Sequence, residues 1–182
     1  MSAIQVQVHQ ANNIIFTDTQ LISKIVDVFY PKMLEDYRVN RFFRGKTPEE
    51  QTKTLKLFLN AALSGAKQPN YQLRHLLNDY FTAAFARTNE KPSVVSGNDF
   101  GFLLEVIRGR DIRPITFACE CHSFLMKMLP DDSHYDVVME HLAETLKELH
   151  ITGEQAALIM AIGESGRDGL LGRADELPKD YE

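Results

Sequence analysis

Cysteine is nearly missing from this chain: its 182 residues hold only Cys119 and Cys121. Two thiols are too few for a disulfide framework, and these lie too close together for an ordinary structural bridge, so a reducing, cytoplasmic setting is expected. Long apolar runs are missing too. No stretch approaches the about 18 apolar residues that a membrane-spanning helix needs. Residues 1–16 lack a charged segment followed by an apolar one, so they do not read as a secretory signal. There is no polybasic run, and the net charge is −5, which leaves nucleic acid and anionic membranes without electrostatic support. Tryptophan is absent, a total that decides little.

What is present is helical periodicity in an ordinary globular composition, 44% hydrophobic and 25% charged. Residues 18–35 carry Leu21, Ile22, Ile25, Phe29 and Met33 at helical spacing behind Asp18, a good N-cap residue. The next helix, 48–64, opens on Thr47, Pro48, Glu49 and Glu50, with proline at the first position and acids on the positive helix end. Leu55, Phe58, Leu59 and Ala62 form its apolar face, and Gly65 stops it. Residues 72–87 repeat the pattern with Leu73, Leu76, Leu77, Phe81 and Phe85. A loop rich in turn-forming residues follows over 88–98. A short helix is expected at 99–108, another from Pro114 to about 128, and a long one at 132–149 after the break at Pro130 and Asp131. A short apolar helix covers 153–164, and the tail from 166 reads as polar and loosely held. No strand is expected, although residues 4–8 alternate weakly. No repeat or sustained heptad appears, so the expected class is an all-α, globular helical packing.

Two blocks carry a family resemblance. Residues 25–43, IVDVFYPKMLEDYRVNRFF, are similar to the pattern VDxFYxRVLxDxxxxxFF of the group I truncated haemoglobins, and 57–65, LFLNAALSG, continues it as AFLxxALGG. Residues 134–149, HYDVVMEHLAETLKEL, resemble that family's HFDAVxxHLxxTLxEL. The blocks stand in the family's order with their internal spacing kept. The departures are a different N-terminal extension, 1–17, without the family's Gly-Gly, and a helical insertion at about 72–112. The resemblance implies a truncated-globin-like helical sandwich over 18–165 that holds haem b and binds a diatomic gas, oxygen or nitric oxide. It also allows nitric oxide dioxygenation supported by a reductase partner.

Such a site needs an apolar slot for the porphyrin, a neutral imidazole as axial ligand, and hydrogen-bond donors on the distal side. The resemblance assigns the distal donor to Tyr30 and a porphyrin contact to Phe43. It brings Gln51 to the first distal polar position, and Leu55 to a place where many relatives have a second glutamine. Leu55 would make the pocket drier. Phe58, Leu59, Phe117, Leu125, Val138 and Leu142 are expected to line the slot, each equally readable as plain core. His122, twelve residues before His134, has the family's spacing for the proximal iron ligand, with His75 as the alternative. His134 and His141 match positions that are not ligands, and His9 and His150 read as surface residues.

Cys119, Cys121 and His122 invite a zinc reading, but no second ligand pair exists to complete it. Inert buried thiols are the plainer reading, with redox sensing as an alternative. Lys53 or Lys56 is a candidate partner for a haem propionate. No acid, base or nucleophile constellation stands out. From another functional class, a haem-free globin-like interaction or signalling module remains open, with the insertion as its docking element.

Overall fold

The computed structural model describes residues 18–63, 68–93 and 119–173, together with the backbone of two short strands. The expected helices at 99–108 and over the first part of 114–128, and the site candidate Phe117, lie outside the described residues.

The fold is all-α. Helix α1, Thr19–Glu35, starts where the sequence predicts, because the Asp18 side chain accepts hydrogen bonds from the Gln20 and Leu21 N–H groups at 2.9 and 3.2 Å. Its buried stripe is Leu21, Ile22, Val26, Tyr30 and Met33. A 3-10 turn, Asn40–Phe42, follows. Helix α2, Pro48–Leu63, carries Glu49 and Glu50 in its first turn and buries Gln51, Phe58, Ala62 and Leu63. Helices α3, Asn70–Phe85, and α4, His122–Met126, come next. Then come α5, Asp132–Glu148, α6, Gly153–Ser165, and α7, Arg167–Leu170.

α1 packs against α2 and α5, α2 against α3, α3 against α4, and α5 against α6. One hydrophobic cluster runs through all of them.

Two local outcomes depart from the sequence reading. A two-stranded antiparallel ribbon, β1 Val6–His9 with β2 Asn13–Phe16, stands ahead of α1, with Val6 opposite Phe16. The β-branched content of both segments suits strand more than the weak alternation of 4–8 alone suggested. Residues 166–173 do not run as a loose tail. α7 continues the chain against the core, Leu171 is buried, and Arg167 pairs with Asp136 at 2.8 Å and Asp132 at 3.3 Å.

The described part of the segment read as an insertion, α3, also enters the core. α3 buries Leu73, Leu77, Tyr80, Phe81, Ala83, Ala84 and Phe85. Its last turn leaves carbonyls without helical partners. The loop before α2 supplies two donors: Gly45 N–H reaches Ala84 O at 3.1 Å, and Lys46 N–H reaches Ala83 O at 2.7 Å. Residue 45 has to be glycine for this approach, since a Cβ there would lie 2.0 Å from the Ala83 carbonyl oxygen. This junction sets the aromatic residues of α3 beside Phe43, whose ring centroid is 5.6 Å from that of Phe85.

Candidate functional site

The helices line a half-open cavity of about 300 Å³ with almost entirely apolar walls. Ile25, Phe29 and Met33 of α1 form one side, and Leu55, Phe58 and Leu59 of α2 another. Leu77, Tyr80, Phe81 and Phe85 come from α3, and His134, Tyr135, Val138 and Leu142 from α5. Periodicity explains the assembly: each helix turns the same apolar stripe inward that its sequence displays.

Most of the expected slot residues meet here. Phe43, Leu55, Phe58, Leu59, Leu125, Val138 and Leu142 all line the cavity. Tyr30, Gln51 and His122 do not. They stand just behind its walls, and how they are held there defines the chemistry.

Tyr30 is wholly buried, and its hydroxyl donates to Gln51 Oε1 at 2.8 Å. Gln51 is 2% exposed, and its amide nitrogen donates to Lys46 O at 2.7 Å and Phe43 O at 3.3 Å. A carbonyl only accepts, so these two contacts fix the amide orientation and point Oε1 at Tyr30. Both Gln51 N–H donors are thus used on backbone. In this arrangement Gln51 anchors the loop after Phe43 and orients Tyr30, and it does not itself reach into the cavity. The Phe43 ring meets Tyr30 edge-on at 5.5 Å.

The Tyr80 hydroxyl lies 3.4 Å from that of Tyr30. Burial, the largest cause, raises both phenol pKa values: Tyr80 to about 12, and Tyr30 well above the usual tyrosine range. Both stay protonated donors at neutral pH.

His122 opens α4 and has no exposed surface. Its imidazole stacks on the Phe81 ring, with centroids 5.4 Å apart and planes 30° from parallel. Phe81 also lines the cavity, and His122 does not. Nε2 is 3.1 Å from the Leu170 carbonyl oxygen, which makes Nε2 the protonated nitrogen and leaves the lone pair on Nδ1. Burial depresses the pKa to about 4, so the ring is neutral at physiological pH. A neutral imidazole that donates its other N–H to a backbone carbonyl is the usual form of a metal-binding histidine.

The alternative ligand, His75, is far from this centre. It points to solvent on α3, with Asp79 one turn away at 3.6 Å, and does not line the cavity. His141 is tied to Asp36 at 2.9 Å. Lys56 pairs with Asp27, and Lys53 is exposed. Burial holds the Cys119 thiol up at about 12 and raises that of Cys121, so neither is a ready thiolate. Among the described residues no group of three metal-ligating side chains converges.

Three participants were not singled out from sequence. Tyr80 continues the stripe Leu73, Leu77, Tyr80, Ala84, which a register count along α3 would have caught. Phe81 was read only as core, yet it both lines the cavity and stacks on the imidazole. His134 lines the cavity edge, where Asp131 holds its Nδ1 and Arg41 Nη2 lies 3.1 Å from its Nε2. Its neighbour Asp131 caps α5.

No protein-family model matches the chain, and no curated protein or solved structure is significantly similar to it. Among the described residues, no helix is long and apolar enough to cross a membrane.

Proposed function

We propose that this chain is a haem-binding, globin-like protein that takes up a diatomic gas, oxygen or nitric oxide. The observation that carries the reading is the apolar cavity, which gathers Phe43 and Leu55, two of the positions that the resemblance to truncated haemoglobins picks out, with the expected slot residues Phe58, Leu59, Leu125, Val138 and Leu142. Three features of the residues suit the group. The walls are aromatic and aliphatic, as a porphyrin slot requires. A buried phenol, Tyr80, is in the lining as a hydrogen-bond donor, with the Tyr30 hydroxyl 3.4 Å from its own. A neutral imidazole, oriented by the Leu170 carbonyl, stands behind Phe81.

Haem b, when bound, supplies the iron that holds the gas. The chain's own residues do the rest. His122 would hold the haem iron in this proposal, and Phe81 would have to leave its stack on the imidazole for the iron to be reached. Phe43, Leu55, Phe58 and Val138 exclude water. A dry site strengthens any hydrogen bond a phenol makes to a partly charged ligand. Nitric oxide dioxygenation is the enzymatic extension of the proposal and needs a reductase partner.

A haem-free interaction or signalling module is the second reading. It is favoured by the position of Phe81, which leaves His122 outside the cavity lining. Addition of haemin to the purified protein separates the two. The proposal expects one haem per chain and an intense Soret band. A protein that stays colourless and takes up no haemin overturns it in favour of the second reading.

A further inference from the structure

Of Tyr30 and Tyr80, the one in the cavity lining is Tyr80, from helix α3. Each phenol has one proton to donate. That of Tyr30 goes to Gln51 Oε1 across 2.8 Å, and the amide is locked in that orientation by the Lys46 and Phe43 carbonyls. Tyr30 therefore takes the acceptor role towards Tyr80, and Tyr80 is the donor in the contact between them. At 3.4 Å that contact is well beyond the usual range for O–H···O bonds, so the Tyr80 proton is weakly committed. A better acceptor inside the cavity captures it at little cost. Capturing the Tyr30 proton instead means breaking a good bond to a clamped amide.

We infer that Tyr80 is the hydrogen-bond donor this cavity offers, and that its ligand class is a small or largely apolar molecule with one compact acceptor atom. In the gas-binding reading that atom belongs to the gas, and to that extent the inference rests on it. The polarity of the chain Tyr80, Tyr30, Gln51 does not. It also gives α3 a role in binding: the helix that the resemblance lacks brings in the donor.

Two probes test this with full-length wild type, Tyr80→Phe and Tyr30→Phe. The first is cyclohexanone, followed by its carbonyl stretch in the protein without haem. The second is carbon monoxide, followed by its stretching band in haemin-loaded, reduced protein. The expected result is a lowered carbonyl frequency in wild type that is lost in Tyr80→Phe and kept in Tyr30→Phe, with cyclohexanone affinity about fivefold weaker in Tyr80→Phe. The carbon monoxide band is expected to move in Tyr80→Phe more than in Tyr30→Phe. A Tyr80-dependent carbonyl shift without haem uptake keeps the inference and rejects the gas-binding reading. Haem uptake with bands that ignore Tyr80 rejects the inference and keeps that reading. If neither probe gives a band that depends on Tyr80, the inference is wrong.

Discussion

The ring of Phe81, a cavity-lining residue, lies on the imidazole of His122, 5.4 Å between centroids and 30° between planes. In the haem-binding account this stack is the barrier to axial ligation. Phe81→Leu removes an aromatic contact of about 1 kcal/mol and opens the path to the imidazole. Stopped-flow mixing with haemin should show the second, coordination-dependent phase speeding up roughly fivefold in that variant. An unchanged rate means that Phe81 does not limit access.

Acid should destabilise the protein through His122. Burial disfavours the charged form and pushes the folded ring down to about 4 from the ordinary 6.5 of an unfolded one. Above the unfolded value both states are neutral and the group has no effect. As pH falls below 6.5 the unfolded chain binds the proton first, so stability drops, and the loss is complete below about 4. Its size is about 3 kcal/mol. Denaturant titrations at pH 7.5 and 4.5 check this: His122→Gln should narrow the difference between the two.

Gly45→Ala should cost about 3 kcal/mol, the upper part of the overpacking range. The added Cβ would sit 2.0 Å from Ala83 O, and backbone has little room to retreat. The loop then loses its two hydrogen bonds to the end of α3. Hydrogen exchange should show the α3 C-terminal turn opening before α1 does.

Gln51→Leu should be more destabilising than Tyr30→Phe. The first leaves the Tyr30 hydroxyl and two backbone carbonyls without the amide they share, about 2 kcal/mol or more. The second removes only one hydroxyl from that network. Thermal melts of the two variants give the order directly.

Leu55 lines the cavity on the α2 face one turn beyond Gln51. Leu55→Gln puts an amide N–H donor on the cavity wall. In the haem-loaded protein it should slow oxygen dissociation several-fold, by one hydrogen bond's worth of about 1 kcal/mol. Oxygen release that keeps its wild-type rate argues against a ligand beside Leu55.

The helices were legible in the sequence for local reasons. Asp18, Pro48 and the Asp131 cap mark helix starts that need only neighbouring residues, and the apolar stripes of α1, α2 and α5 predicted which faces turn inward. Leu55, Phe58, Leu59, Val138 and Leu142 stood on those stripes, where slot and plain core read alike, and Phe43 stood in the family pattern. What could not be read was directional and long-range. Whether Gln51 donates to a ligand or to backbone depends on the loop carbonyls of Phe43 and Lys46. Whether α3 stands apart or enters the core depends on a glycine elsewhere in the chain, Gly45, meeting Ala83. Tyr80 becomes a donor only because Tyr30 already has an acceptor, and no periodicity encodes that. The tail at 166–173 looked polar because Arg167 and Arg173 carry its outer face, while Leu170 and Leu171 line the cavity.

The central claim is that His122 binds haem iron, and the most direct measurement is resonance Raman spectroscopy of the reduced, haemin-loaded protein. Wild type should show an iron–histidine stretching band. His122→Gly should lose it, and added imidazole should restore it by filling the vacated space beside Phe81. A band that persists unchanged in His122→Gly, or a wild-type protein that takes up no haem, contradicts the account.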